Sequence, residues 1–357
     1  MGILENTLRQ IENLDKEAIA QAEERLDNLI KPIGSLGALE DIAAKMAGIT
    51  GKVKNKISKK NIVVMCADNG VCDEGVSAAP QEITYAMANY FTMGVTGVCV
   101  LAEHNNAELT IVDIGVKGKF DNPKIINKKI AEGTKNILKG SAMTREEAVR
   151  AIEIGIETVD KLVAEGYDLL GTGEVGIGNT TTSAAVLSVL SELPVETVVG
   201  KGAGLTEEQY INKKRVISEA ITLNSPNKED VIDVIAKVGG FDIAGLCGCY
   251  LGAAKNRVPI VIDGFISSAA ALCAYRLNPL ARDYMFSSHL SAEPGAAYMM
   301  KELGLEPILN LRMRLGEGTG CPMAFNIIEA ALAAMNNMYT FNETIMSNEN
   351  LVDIREK

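Results

Sequence analysis

Three short segments of this 357-residue chain pair glycine with charged side chains in a way that suits chemistry on an anionic substrate. In RLGEGTG (314–320) one acid, Glu317, stands between two glycines just after an apolar run. Such neighbours free the carboxylate to face a crevice and leave room for a flat ligand, as a general base requires. The competing reading is a turn carboxylate in solvent, or one paired with Arg314. In GTGEVGIGNTTT (171–182), Gly173, Gly176 and Gly178 separate a strand-like run from a helix-like one, with Glu174 among them. Backbone there can approach a ligand closely, and free amides at a helix start favour an anion. The segment lacks GK[ST] and a clean G-x-G-x-x-G, so a plain tight turn remains the alternative. VGKGAGL (199–205) is a second glycine-rich loop, carrying Lys201 and Gly202, and Lys213 and Lys214 follow it. Two such loops with lysines suit a phosphomonoester better than a bridged pyrophosphate. A lysine pair is ordinarily a solvated helix face; Lys213 is the preferred counter-charge because the loops need one.

Other polar residues carry less. SSHLSAEPG (287–295) offers hydroxyls, Ser291 among them, and His289, one of only two histidines; a lone histidine reads as structural rather than as the base. Asp68, Asp73, Glu74 and Asp113 fit no defined ligand spacing, so turn and cap roles are expected, with no metal and no cofactor.

These residues need a scaffold that gathers them. Helical periodicity covers 16–30 and 35–49, and a basic stretch, GKVKNKISKK (51–60), marks a boundary. From residue 61, short apolar β-branched runs alternate with helices: 61–67, 109–115, 167–173, 259–264, 284–289 and 307–313. Thr144 with Glu147 and Thr206 with Gln209 spell capping boxes, and Pro80 suits a first helical turn. Such alternation implies an α/β fold, a parallel sheet covered on both faces. Nearly every strand candidate ends in polar or glycine-rich residues: Asp68 to Gly70, Asp113, Gly173-Glu174, Asp263-Gly264, Ser287 to His289, and Arg314 to Gly320. Ligands of open α/β sheets lie beyond the carboxyl ends of the strands, so these six segments are expected to converge on one crevice.

Composition bounds the partners. With 35 Lys+Arg against 46 Asp+Glu the formal charge is -11, which argues against nucleic acid or an anionic membrane as partner. Trp is absent and aromatics are 4%, so aliphatic residues and Met must fill the core. Seven scattered cysteines without a CxxC pair fit free thiols in a reducing cytoplasm. The N-terminus does not resemble a signal peptide, and no uninterrupted apolar run of about 20 residues suggests a membrane span.

KPIGSLGALE (31–40), MCADNGVCDEGVSAAPQEIT (65–84), GEVGIGNTTT (173–182), VGGFDIAG (238–245), VPIVIDGFISSAAAL (258–272), SSHLSAEPGA (287–296) and RLGEGTG (314–320) occur in one order over nearly the whole chain. In this the sequence resembles the nicotinate-nucleotide:dimethylbenzimidazole phosphoribosyltransferases. The resemblance implies a Rossmann-like, mostly parallel sheet with helices on both faces, plus a small helical domain built from the chain ends. The corresponding division is 1–58 (N-terminal helices), 59–320 (the α/β domain) and 321–357 (a C-terminal helix and tail packing with the N-terminal helices). It further implies a dimer with composite active sites, and transfer of the phosphoribosyl group of nicotinate mononucleotide to a cobamide lower-ligand base. Carried over by motif, the catalytic base falls on Glu317 and an acid near the ribose on Glu174. Phosphate- and ribose-binding elements fall on Gly176, Gly178, Gly202, Lys213 and Ser291, and the base pocket on Ala79, Met87 and Leu315. Benzimidazole-specific members carry Ser and Gln where Ala79 and Met87 stand, and His where Asn69 stands. The more apolar pocket raises phenol or p-cresol as acceptors in place of the benzimidazole, and with them a heterodimer of two paralogues in place of a homodimer. Two competing functions stand beside this one: a silent paralogue subunit, and a metal-dependent α/β phosphoryl-transfer enzyme.

Overall fold

The long apolar runs become the centre of a sheet because only burial on both faces suits them. In the computed structural model, which describes residues 2–202, 204–347 and 351–355, six strands pair in parallel. In chain order the elements are α1 (Ile3–Gln10), α2 (Lys16–Asp27), α3 (Ala38–Thr50), β1 (Lys60–Ala67), α4 (Ile83–Met93), α5 (Gly97–His104), β2 (Ala107–Gly115) and β3 (Ile125–Asn127). They continue with α6 (Arg145–Ala164), β4 (Leu169–Val175), α7 (Asn179–Leu190), α8 (Val195–Val198), α9 (Glu207–Asn224), α10 (Val231–Val238) and α11 (Phe241–Lys255). The last are β5 (Ile260–Ile262), α12 (Phe265–Leu277), β6 (Met285–Ser287), α13 (Gly295–Leu303) and α14 (Gly320–Asn337).

The strand order is β3-β2-β1-β4-β5-β6, so the winding reverses between β1 and β4. Every residue of these two strands is buried. Alternate residues of β4 meet helices on opposite faces, as the two-residue strand period demands. Thr172 Oγ1 lies 2.9 Å from the hydroxyl of Tyr250 on α11. A side chain on neighbouring Gly171 would instead strike Cys321 of α14. Residues Phe241 to Ala254 of α11 are all buried, as a helix apolar all round must be.

Both capping boxes form, at the starts of α6 and α9. Pro80 lies a turn ahead of α4 instead of inside it, its carbonyl accepting from Ile83 N at 3.2 Å. The chain ends meet: α2 and α3 pack together, α3 packs on α14, and Ile30 N donates to Tyr339 O at 3.0 Å. Ile354 N donates to Ile33 O at 3.1 Å, and Arg355 pairs with Asp27 at 3.1 Å.

Residues 307–313 are not a strand. Ile308 N and Leu309 N donate to Ser287 O and Ser288 O at 3.0 and 2.9 Å, forming an isolated bridge beside β6. Beyond it Leu311 and Leu315 are more than half exposed, so the apolar residues of this stretch are not spent on the core.

Candidate active site

Outside the carboxyl ends of β4, β5 and β6, next to the reversal point, lies a cleft of about 320 Å3. All ten residues singled out from the sequence line it: Glu317, Glu174, Gly176, Gly178, Gly202, Lys213, Ser291, Ala79, Met87 and Leu315. Four of the six strand-end segments contribute, those after β4, β5, β6 and the 307–313 run. Those after β1 and β2 do not. Asp68 accepts from Lys117 N at 2.7 Å, and Asp113 from Val116 N at 2.9 Å, so both tie loops to the sheet instead of facing the cleft. Asn69 is fully buried, its side chain against Thr182 and under Gly176. Cys321 is sealed in the sheet, its thiol against Thr172 O and Val261 O, and burial pushes its pKa upward. Glu74 accepts from Asn136, away from Asp68 and Asp113.

At one end the cleft is built for an anion. The turn from β4 to α7 passes through Gly178 in the left-handed region, φ 93°, which glycine adopts at little cost. Lys213 is fully buried and donates to Thr180 Oγ1 (2.7 Å), in the first turn of α7, and to Gly200 O (3.2 Å). Burial lowers its pKa to about 8, opposed by the nearby Glu293 carboxylate. Lys214 instead lies over the Tyr210 ring, and Lys201 pairs with Glu207 at the surface. Gly202 N donates to Glu293 Oε1 at 3.0 Å, while Glu293 Oε2 has no partner among the described residues. A carboxylate thus stands among the donors an anionic ligand would use. Glu293 drew no notice in the sequence, where it is one acid among 46 acidic residues.

The same lining has an apolar part, made by Val76, Ala79, Ile83, Met87 and Leu315. Beside it Glu317 adopts φ 63° between Gly316 at 82° and Gly318 at 98°. A non-glycine residue in the left-handed region costs of order 1 kcal/mol and persists only where its surroundings impose it. Here the surroundings are Asp263, whose carboxylate accepts from Gly318 N (3.1 Å) and Gly320 N (2.6 Å). Gly173 allows the loop to close, since any side chain there would run into the Glu317 carbonyl. The Glu317 carboxylate accepts from Val98 N at 3.2 Å, in the first turn of α5, so it is neither solvated nor paired with Arg314. Burial raises its pKa, while hydrogen bonds from Val98, Gly97 and Thr96 hold the rise back.

Glu174 lies on the floor, 6% exposed. Burial, then the charges of Asp242 and Asp263, push it up to about 8. Asn179 bridges two of these acids, donating to Glu174 and, at 3.1 Å, to Asp242 Oδ2. Asp242 and Asp263 are raised by burial to about 6 and about 7. The cleft therefore carries protons near neutral pH on groups that in water would have lost them. Asp263 and Asn179 were not identified as site residues from the sequence.

A family model described as phosphoribosyltransferase matches residues 11–345. The chain is 62% identical over 358 residues, 100% of its length and 99% of the relative's, to nicotinate-nucleotide–dimethylbenzimidazole phosphoribosyltransferase of Clostridium tetani. It is 53% identical over 338 residues, covering 95% of this chain and 96% of the relative, to the protein of that name from Clostridium acetobutylicum. The solved structure of CobT from Thermus thermophilus superimposes with a TM-score of 0.88 at 40% identity, over 92% of this chain and 98% of that one. With the cleft, the sheet order and these likenesses in agreement, the chain belongs to the nicotinate-nucleotide–dimethylbenzimidazole phosphoribosyltransferase family.

Proposed function

We propose that this cleft moves the phosphoribosyl group of nicotinate mononucleotide onto 5,6-dimethylbenzimidazole, giving an α-ribotide and nicotinate. The observation that carries the reading is the cleft's mixed chemistry: a buried lysine beside glycine turns, a group of apolar side chains, and Glu317 in one lining. In this reading the phosphate lies against Lys213, Gly176, Gly178, Gly202 and Ser291, displacing the Glu293 carboxylate. The incoming base lies against Ala79, Met87 and Leu315.

Glu317 takes the N–H proton of the incoming base, and the other ring nitrogen attacks C1′ from the face opposite nicotinate. The bond from C1′ to the pyridinium nitrogen breaks with both electrons going to that ring, so nicotinate leaves without an added proton. A carboxyl group raised by burial is a better base than one in water, which suits Glu317 to the task. Burial and the neighbouring acids hold a proton on Glu174 below about pH 8, and a cationic pyridinium or oxocarbenium beside it favours its charged form. Charge then appears where the sugar becomes positive.

The relatives described above are named for dimethylbenzimidazole, and they lend no support to phenol, p-cresol or a silent subunit. An active homodimer is part of the proposal, supported by the outward apolar side chains of α4 and α5, with Met93 65% and Val100 56% exposed. A cytoplasmic setting is supported by seven free cysteines. Incubating the protein with nicotinate mononucleotide and dimethylbenzimidazole, with product identified by mass spectrometry, tests the reaction. Glu317→Gln should lower kcat by roughly 100- to 10,000-fold with nucleotide affinity preserved; an unchanged kcat removes Glu317 from the chemistry.

A further inference from the structure

His289 lies just beyond β6 in the wall of the cleft, 4% exposed. Its neighbour fixes its tautomer. Ser288 Oγ lies 2.8 Å from the carbonyl oxygen of Asp263 and 2.9 Å from His289 Nδ1. A hydroxyl has one proton to give, and a carbonyl has none. The serine proton must therefore go to Asp263 O, and the second bond must be donated by His289 as Nδ1–H. That leaves Nε2 bare, an obligatory acceptor. Burial lowers the affinity of the ring for a second proton, in keeping with one proton on Nδ1.

Nε2 has no hydrogen-bond partner among the described residues, and His289 is part of the cleft lining. The ring has this position because Gly320 leaves space for it; a side chain there would overlap the imidazole. The position is also framed by function: Ser291 follows two residues on, and the loop bearing Glu317 is tied to Asp263, whose carbonyl anchors Ser288.

The chemistry of the substrates then selects the partner. The phosphate dianion and the nicotinate carboxylate of nicotinate mononucleotide only accept hydrogen bonds, and its pyridinium nitrogen carries no proton. Its donors are the 2′ and 3′ hydroxyls. Dimethylbenzimidazole has one N–H, which the proposed mechanism gives to Glu317. We infer that His289 Nε2 accepts a hydrogen bond from a ribose hydroxyl and so makes the site discriminate ribonucleotides from their deoxy analogues. The inference rests on the function proposed above and adds to it a specificity-determining residue.

Two measurements test it. The chain has two histidines, so 15N spectra of histidine-labelled protein, with the exposed His104 assigned by its His104→Gln variant, report the His289 tautomer directly. Protonated Nδ1 and bare Nε2 are expected; a proton on Nε2 overturns the inference whatever the enzyme's activity. The second measurement compares kcat/KM for nicotinate mononucleotide with its 2′-deoxy and 3′-deoxy analogues. The native protein should lose roughly 10- to 100-fold on one analogue, the usual consequence of leaving a buried acceptor unmatched. His289→Phe should be slower on the ribonucleotide and indifferent to that deletion. His289→Gln, whose amide oxygen reaches toward the place of Nε2, should recover part of the discrimination. A Phe variant that still discriminates fully overturns the inference alone, whereas native protein that transfers nothing overturns the proposed function with it.

Discussion

Glu174→Gln should make the protein more stable at alkaline pH while disabling it. In the fold this carboxyl is held up to about 8 against an ordinary 4.5, by burial first and by Asp242 and Asp263 next. Over that range the folded protein keeps a proton that the unfolded chain has released. Stability therefore falls as pH rises through the interval and levels off above about 8. At about 1.4 kcal/mol per pH unit, raising the pH from 5 to 9 should cost on the order of 4 kcal/mol through this residue alone. Glutamine keeps an oxygen to accept from Asn179 and cannot ionise, so the variant lacks this slope. Asp242 and Asp263 are displaced in the same direction and leave it a shallower decline. Urea unfolding of both proteins at pH 5 and pH 9 measures the difference. The native protein should lose several kcal/mol more than the variant, and parallel losses would refute the assignment of the buried proton to Glu174.

Three further outcomes follow from the geometry. Lys213→Met, which keeps the buried aliphatic stem and deletes the charge, should raise KM for nicotinate mononucleotide by roughly 10- to 100-fold, the scale of one charge-assisted hydrogen bond; steady-state kinetics at saturating base would show it. Glu293→Gln removes the carboxylate that occupies the Gly202 amide and opposes an incoming phosphate, so calorimetric affinity for the nucleotide should rise several-fold. Val100→Asp on the exposed face of α5 should shift the protein toward monomer in light-scattering chromatography, and an undisturbed dimer would point to another interface.

The strands that could be read from sequence are those whose burial is continuous. β1 shows an apolar run from Ile62 to Ala67 because both faces are covered, while β4 and the last five residues of β2 are buried throughout yet carry Thr172, Glu174 and Asp113. β3 spans three residues at the sheet edge with only Ile125 buried, too little pattern to detect. The run 307–313 alternates as a strand should, but it makes only an isolated bridge beside β6 and none of its side chains is fully buried. Among site residues, Glu317 and Glu174 stood out because glycines flank or follow them and each follows a strand-like apolar run in the sequence. Asp263 was visible only as one polar strand end among six; its grip on the Glu317 loop joins residues 55 positions apart, a relation no local pattern carries. Glu293 and Asn179 were missed for the same reason, since each acquires meaning from a partner on another element. His289, set aside as a lone histidine, gains its significance from a serine proton already committed elsewhere.

The meeting of the chain ends bears on how the protein is made. On a ribosome the first three helices emerge long before α14, which α3 packs against, and the sheet is synthesised in between. Domains tend to fold as their segments become available, and contacts between distant segments form late. α3 must therefore wait with part of its apolar side unprotected until α14 arrives to cover it, whereas α1 packs on α6 and α11 and can settle earlier. A nascent chain stalled before residue 320 should hold a largely assembled sheet and an unsettled α3, the part most in need of a chaperone.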